Sequence, residues 1–277
     1  MSIAGGYWKA VEAAAMVESQ CVQIFTKNNN RWKGKTLTEE DCERFKSSLQ
    51  QHGIEHSLSH ASYLINLASN KPELLEKSIE AMVDELQRAD RLGVPHVVFH
   101  PGSHTTSTPQ EGLDTIVQSL DVVLKRTTEL KTYPLLENTA GQGSNLGFKF
   151  EQLDYIIGNV KLPDRLGVCI DTCHTFAAGY PLAPSEEYEA TIDQMASTFG
   201  IDKIKAFHLN DSKRPFASRK DRHEHIGKGE IGLKPFQLLL NDTRFKRIPM
   251  YLETEKGEID GTDMDAMNLK TLRDLIN

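Results

Sequence analysis

The stretch KPELLEKSIEAMVDELQRADRLGVPHVVFH (71–100) carries the pattern that decides the fold. Pro72 near the start and Gly93 at the end of its first part are typical of a helix that begins and ends at these residues. The apolar run HVVFH (96–100) has the length and the β-branched and aromatic content of a buried parallel strand. The stretch therefore predicts a helix followed by a strand.

The same alternation runs through the rest of the chain. Six further apolar runs predict strands, at 21–25, 53–60, 134–138, 167–171, 204–210 and 249–255. Stretches with helical signals lie between them, among them 38–53 and 108–130. Strands that alternate with helices predict a parallel sheet, and seven or eight such units favour a closed (β/α)8 barrel, the TIM barrel, over an open doubly wound sheet. We expect one domain over residues 1–277.

The opening of the chain departs from this alternation. MSIAGGYWKAVEAAA (1–15) predicts a loop and then a helix, with no strand before them. We therefore expect a barrel that lacks its first strand or has it truncated.

Composition narrows the class of protein. A length of 277 residues suits a single barrel, and 39% hydrophobic and 26% charged residues are typical of a soluble globular protein. No apolar run approaches the ~18 residues of a membrane helix, and no secretory leader opens the chain, so we expect a cytoplasmic protein without a membrane partner. The four cysteines form no C-x-x-C pair, which favours reduced thiols. A net charge of −7 argues against a polyanionic partner unless the carboxylates hold cations.

Residue types that bind metals stand at or just beyond the ends of six successive predicted strands, where a parallel barrel gathers its functional groups. They are His60, His100, Glu137, Asp171 with His174, His208, and Glu253. The loop SRKDRHEHIGKG (218–229) adds Asp221 and His223. One such histidine alone would more often be a hydrogen-bonded core residue. The whole set is different, because four carboxylates at one rim would repel one another unless divalent cations held them. Mixed imidazole and carboxylate ligands suit zinc or a similar metal.

These residues also lie in blocks that resemble a known family. The blocks are FTKNNNRW (25–32), SHASYLINLA (59–68), FHPGSH (99–104), LENTAGQG (136–143), CIDTCH (169–174), FHLNDSK (207–213), DRHEHIGKG (221–229) and LET (252–254). In this order they resemble the signature blocks of endonuclease IV, the apurinic/apyrimidinic endonucleases. The resemblance implies a zinc-dependent TIM-barrel deoxyribonuclease of DNA base excision repair. Such an enzyme cleaves the phosphodiester 5′ to an abasic site in double-stranded DNA and leaves a 3′-hydroxyl and a 5′-deoxyribose phosphate.

The resemblance further implies three zinc ions. Their ligand sets are His60 with His100 and Glu137; Asp171 with His208, Glu253 and a bridging Glu137; and His174 with Asp221 and His223. His225 has no ligand role in the family. A hydroxide held between two zinc ions is a nucleophile at neutral pH, and we expect Glu137 to tune it as the catalytic residue. Three Zn²⁺ ions would bring the formal charge from −7 to −1, and the positive charge would lie at the rim.

Contacts with DNA follow from the same resemblance. Tyr63 and Leu64 match the residues that fill the gap left by a missing base. The arginine expected after FTKN falls on Asn30, with Arg31 one position later, so either Arg31 takes its place or gap filling is weaker. Basic residues of the loop after the seventh strand are expected to contact phosphates, namely Lys213, Arg214, Arg219, Lys220, Arg222 and Lys228. We expect a monomer.

Two other functions fit parts of the pattern. A divalent-metal sugar isomerase or epimerase on the same barrel would need fewer metals, so the set His174, Asp221 and His223 argues against it. A lesion-binding module without catalysis would not need an intact set of ligands.

Overall fold

A computed structural model describes residues 1–277, which fall into two compact units. The first unit comprises Met1–Glu137 and Tyr155–Gly167, and the second comprises Asn138–Asp154 and Val168–Asn277. No helix is long and apolar enough to cross a membrane.

The first unit repeats a strand and a helix along the chain. Its elements are α1 (Tyr7–Met16), β1 (Cys21–Phe25), α2 (Glu39–His52), β2 (His56–His60), α3 (Pro72–Leu92), β3 (His96–Phe99), α4 (Pro109–Arg126) and β4 (Tyr133–Glu137). The four strands pair in parallel in the order β1-β2-β3-β4. Helix α5 (Phe150–Asn159) has residues in both units, and a 3-10 helix follows at Pro163–Arg165.

The second unit contains three parallel strands and two antiparallel hairpins. Its elements are β5 (Gly167–Asp171), α6 (Thr172–Ala178), α7 (Ser185–Thr198), β6 (Ile204–His208), β7 (Asp211–Ser212), β8 (His223–Glu224), α8 (Leu233–Leu240), β9 (Met250–Tyr251), β10 (Glu258–Ile259), β11 (Thr262–Asp263) and α9 (Met264–Arg273). Short 3-10 helices lie at Ile201–Lys203 and Thr243–Phe245. Strands β5, β6 and β9 pair in parallel, while β7 pairs with β8 and β10 with β11.

The predicted starts of α2, α3 and α4 and the predicted ends of α2 and α3 are confirmed, whereas α4 ends at Arg126, before the predicted 130. Thr38 caps α2 through a reciprocal capping box with Asp41, and Thr108 caps α4 in the same way with Glu111. Helix α3 starts on Pro72 and ends at Gly93, which has a φ of 76°. That left-handed conformation costs glycine little, so the chain can turn directly toward β3.

Each predicted run contains a parallel strand, but three strands are shorter than predicted: β2 starts at His56, β6 ends at His208, and β9 covers only Met250–Tyr251. The apolar residues of β3 and β5 are buried throughout, which is why these strands read as continuous hydrophobic runs. The register of the first unit brings the carboxyl ends of neighbouring strands together. Phe25 of β1 pairs with His60 of β2, and Phe99 of β3 pairs with Leu136 of β4. Side chains at the ends of neighbouring strands are thereby brought side by side.

The residues before α1 form no strand, as predicted. The amino group of Met1 donates a hydrogen bond of 2.6 Å to the carbonyl oxygen of Gln23 in β1.

Candidate metal centre

In the first unit, three predicted metal ligands meet at the carboxyl ends of the strands. His60 and Glu137 are the last residues of β2 and β4, and His100 directly follows β3. The Nε2 atoms of His60 and His100 lie 3.1 Å and 3.2 Å from Oε2 of Glu137. His60 and Glu137 are buried, and His100 is partly exposed. The three side chains offer ligand atoms that all lie within 4.8 Å of one another.

The hydrogen bond of His60 fits a metal ligand. Its Nδ1 lies 2.7 Å from the carbonyl oxygen of Ala61. A carbonyl only accepts, so Nδ1 carries a proton and donates it. Nε2 then turns its lone pair toward the carboxylate of Glu137 unless a second proton is added. Two acceptors at 3.1 Å repel each other unless a cation lies between them. A tetrahedral zinc ion with bonds of about 2.0–2.1 Å separates its ligand atoms by roughly 3.4 Å, close to the distances found here.

A second set lies on the parallel strands of the second unit. Asp171 and His208 end β5 and β6 and pair in register, and Glu253 lies two residues beyond β9. Nδ1 of His208 lies 3.2 Å from Oε2 of Glu253. The ligand atoms of these three residues are also within 4.8 Å of one another. Two carboxylates and one imidazole in so small a volume again suit a divalent cation.

The third set combines α6 with the β7–β8 hairpin of the second unit. The two carboxylate oxygens of Asp221 lie 3.1 Å from Nε2 of His174 and 3.1 Å from Nε2 of His223. Nδ1 of His174 donates to the carbonyl oxygen of Asn138 at 2.9 Å, so its Nε2 faces Asp221. Asp171 also comes within 4.8 Å of the ligand atoms of both histidines.

The residues of the third set shift one another's pKa values. Burial raises the pKa of Asp221, but hydrogen bonds from His174 and His223 outweigh it and hold that pKa well below its usual range. Burial lowers the pKa of His223, but the carboxylate of Asp171 and the hydrogen bond to Asp221 raise it to about 9. The site thus favours positive charge next to its carboxylates, which a metal ion supplies better than a proton.

Comparison with known proteins agrees with this geometry. The profile of the xylose isomerase-like TIM barrel family matches residues 11–275. A protein of Citrifermentans bemidjiense named probable endonuclease 4 is 46% identical over 276 residues, which cover 100% of this chain and 97% of that protein. The chain belongs to the endonuclease IV family.

Solved structures lead to the same fold. The crystal structure of endonuclease IV from Thermus thermophilus matches with a TM-score of 0.86 and 35% identity, over 99% of this chain and 96% of that one. A D-tagatose 3-epimerase-like protein matches with a TM-score of 0.73 over 95% of this chain and 91% of that one, but at 19% identity it shares the fold alone. The fold class predicted from the sequence, a TIM barrel, is confirmed.

Two asparagines that orient the ligands were missed by the sequence analysis. Asn210 donates from Nδ2 to Oδ2 of Asp171 at 2.6 Å, and its Oδ1 accepts from the backbone N–H of Glu253 at 3.0 Å. Asn138 accepts the backbone N–H of Asp171 at 2.7 Å. Asn138 directly follows Glu137 in the block LENTAGQG, and Asn210 lies two residues after His208 in the block FHLNDSK. Their closeness in sequence to predicted ligands was the signal that could have found them.

Cys173 was also missed as a neighbour of the third set. Its Sγ lies within 4.8 Å of ligand atoms of Asp221 and His223. Burial raises the pKa of this thiol, and Asp171 raises it further. His225, which was predicted not to be a ligand, joins no such group and instead bonds through Nδ1 to the amide of Asn268 at 2.9 Å.

The predicted DNA contacts of the first unit lie in the loops after β1 and β2. Tyr63 is 54% exposed, and its ring centre lies 5.1 Å from that of His60 and 6.0 Å from that of His100. Leu64 is partly exposed beside it. Asn30 and Arg31 lie exposed in a turn built on Asn28, which accepts both of their backbone N–H groups. Of these four residues, the structure therefore places Tyr63 against the metal ligands.

A buried ion pair supports both loops. The ammonium group of Lys27 contacts Asp84 at 2.6 Å and Glu85 at 3.2 Å. Glu85 accepts the hydroxyl of Thr26 at 2.5 Å on one oxygen and the backbone N–H of Ser62 at 3.2 Å on the other. The ends of β1 and β2 are thereby fixed to helix α3, next to Tyr63.

Lys213 and Arg222 lie opposite each other on the β7–β8 hairpin. Both side chains are exposed, and the backbone N–H of Lys213 donates to the carbonyl oxygen of Arg222 at 2.8 Å. The ammonium group of Lys213 lies 3.7 Å from a carboxylate oxygen of Glu255. Arg222 reaches the side-chain oxygen of Gln142 at 3.4 Å. Neither guanidinium nor ammonium group is buried, so both are accessible to a polyanion.

Proposed function

We propose that this protein is a zinc-dependent DNA-repair endonuclease that hydrolyses the phosphodiester 5′ to abasic sites in double-stranded DNA. Its products would be a 3′-hydroxyl and a 5′-deoxyribose phosphate. Membership in the endonuclease IV family supports the class of reaction. The single observation that carries the proposal is the grouping of nine imidazole and carboxylate ligands into sets with metal-like spacing.

The proposed cofactor is three zinc ions per chain. His60, His100 and Glu137 would hold one; Asp171, His208 and Glu253, with Glu137, a second; and His174, Asp221 and His223 the third. Bound zinc supplies an acidic water near neutral pH and neutralises charge on phosphate oxygens.

The chain's own residues prepare these ligands. Nδ1 of His60 donates a hydrogen bond to the backbone carbonyl of Ala61, and Nδ1 of His174 donates one to that of Asn138. In each ring, Nε2 would then coordinate zinc through its lone pair. Glu137 is the member of its set that contacts both others, since its Oε2 lies 3.1 Å from Nε2 of His60 and 3.2 Å from Nε2 of His100. This is why we assign Glu137 the central catalytic role.

Recognition of the substrate would combine charge with shape. Lys213 and Arg222 supply exposed positive charge for the phosphate backbone. Tyr63 and Leu64 would enter the space that a missing base leaves. The ring centre of Tyr63 lies 5.1 Å from that of His60 and 6.0 Å from that of His100, so contact with the lesion would reach the proposed metal set. Asn30 and Arg31 are proposed as additional DNA contacts. We propose that the enzyme acts as a monomer on DNA in the cytoplasm.

The epimerase alternative loses its basis. Solved epimerases resemble this chain at less than 20% identity, which shows a shared fold alone.

Incision of a labelled duplex that contains one abasic analogue tests the proposal. We expect a single cut 5′ to the site, a product with a 3′-hydroxyl that a polymerase can extend, and about three zinc ions per chain by metal analysis. Exhaustive chelation should abolish cutting, and added zinc should restore it. Full activity of the metal-free protein, or a cut 3′ to the site, would refute the proposal.

A further inference from the structure

The loop between β7 and β8 holds an aromatic side chain out in solvent. Phe216 is 46% exposed, although a phenylalanine ring has no polar atom to justify contact with water. Its neighbours Pro215 and Ala217 are exposed as well. The ring therefore lies at the protein surface, where it keeps only part of the stabilisation that full burial would give it.

Phe216 is held in this position by specific contacts. Its ring packs edge-on against Phe176 of α6, with ring centres 5.3 Å apart and planes at 66°. The backbone N–H of Ala217 donates to the carbonyl oxygen of Phe176 at 3.2 Å, and that of Arg219 donates to Ala177 at 2.9 Å. The loop is thus fastened to the last turn of α6, the helix that carries the predicted metal ligand His174.

The backbone of this loop is strained where it turns. Ala217 and Arg219 have φ values of 56° and 51°, in the left-handed region that side chains with a Cβ disfavour by about 1–2 kcal/mol. Strain of this kind persists where the surrounding structure enforces it and often marks a functional segment. Here both strained residues follow Phe216, one directly after it and one on the far side of Ser218.

Basic residues lie on both sides of Phe216 along the loop. Lys213, Arg214, Arg219 and Lys220 are all exposed, and neither Arg214 nor Lys220 pairs with a carboxylate. The guanidinium carbon of Arg219 lies 4.6 Å from the ring centre of Phe148. An accessible aromatic ring among cations is the arrangement by which proteins hold single-stranded nucleic acid, since the ring stacks on a base while the cations hold the phosphates on either side.

We propose that Phe216 is a stacking platform for an unpaired DNA base, flanked by phosphates that Arg214 and Lys220 hold. This inference rests on the proposed function, because it assigns the loop to the same DNA. A base within an intact duplex has both faces covered by its neighbours, so the platform selects DNA with an unpaired or displaced base. Lesion-containing duplexes and single strands offer such a base.

Binding of an undamaged single-stranded oligothymidylate to the zinc-loaded full chain tests this proposal without any cleavage. Fluorescence anisotropy should show a loss of affinity of roughly fivefold or more in Phe216→Ala, from a stacking contribution of about 1–3 kcal/mol per base. Phe216→Trp should retain the affinity, and its added indole emission should be quenched by the DNA. Ile259→Ala, which shortens another exposed apolar side chain at 42% exposure, should bind like the parent protein.

The salt dependence separates stacking from charge. Phe216→Ala should leave the slope of log affinity against log salt unchanged, whereas Arg214→Gln should reduce it by about 0.7. Equal affinity of Phe216→Ala and the parent, or equally weak binding by Phe216→Trp, would overturn the platform. Incision of the abasic duplex by the parent is measured in parallel. If the parent incises while Phe216→Ala keeps its affinity for single strands, this inference alone fails; if the parent does not incise, the proposed function fails.

Discussion

The ligands of the first unit and those on the β7–β8 hairpin of the second are held in two different ways. His60 and Glu137 end the parallel strands β2 and β4, which flank β3, and are 2% and 0% exposed. Asp221 and His223 lie on a two-residue strand and the loop before it, and are 38% and 19% exposed. Strands of the parallel sheet carry the first pair, whereas the second pair depends on a loop that must be held by its own bonds.

Those bonds centre on one buried carboxylate. Asp211, in β7, accepts the backbone N–H groups of Ser212 at 2.7 Å, Gly229 at 3.1 Å and Ile231 at 2.9 Å. Ser212 pairs directly with His223 across the hairpin. Both ends of the loop that carries Asp221 and His223 are thereby tied to one side chain. In the first unit the predicted ligands are carried by paired strands, since His60 pairs with Val98 of β3 and Phe99 pairs with Leu136 of β4, and the ion pair of Lys27 with Glu85 adds support from α3.

Replacing Glu137 should have the largest effect. Glu137→Gln keeps the shape but removes the charge that holds His60 and His100 to one ion, so we expect incision to fall by at least about 10³-fold. Zinc content should fall as well. The matched control is Glu76→Gln, which changes an exposed carboxylate on α3 of the same unit and should leave the rate within about twofold. Single-turnover cutting of an abasic duplex and metal analysis measure both effects, and near-normal turnover in Glu137→Gln would remove its catalytic role.

This contrast also explains what the sequence could predict. His60, His100, Glu137, Asp171 and His208 follow from strand periodicity, since each ends or directly follows a buried run. Asp221 and His223 stood out only as an Asp-x-His pair in a charged loop, and the family resemblance assigned them to a third metal, because β7 and β8 are two residues long and leave no periodic signal. Asp211 and Asn210 were missed, since hydrogen bonds between distant loops depend on tertiary structure.

In the metal-free protein, the protonation of His223 should make the free energy of unfolding depend on pH. The raised pKa of His223, about 9, means that its protonated ring stabilises the folded state fully below pH 6.5, the ordinary histidine value. This stabilisation is lost as the pH rises through about 9. We expect the free energy of unfolding of chelated protein to fall by on the order of 3 kcal/mol over that interval, at about 1.4 kcal/mol per pKa unit.

Urea unfolding followed by circular dichroism, with chelator present, measures this fall. His223→Gln should flatten it, because the group that titrates is gone. The lowered pKa of Asp221 contributes no slope in this range, since that carboxylate is ionised throughout it. Saturating zinc should also flatten the curve of the parent protein, since a bound cation replaces the proton. A fall of equal size in His223→Gln would assign the titration to another group.

Gly229→Ala should have a smaller effect that is confined to the hairpin. A Cβ at Gly229 would lie 2.3 Å from the carbonyl oxygen of Ser212 and 2.6 Å from Oδ1 of Asp211, so the loop must move away from its anchor. We expect zinc affinity at the third set to drop by about 10–100-fold, as when an outer partner of a ligand is lost, while the other two ions remain bound.

Gly158→Ala is the control, since its Cβ would meet nothing within 4 Å and, like Gly229, it needs no left-handed backbone. Stepwise chelation followed by metal analysis resolves the sets. Release of all three ions at the same chelator concentration in Gly229→Ala would contradict this prediction. It would mean that metal binding by the ligands on the strands also depends on the hairpin.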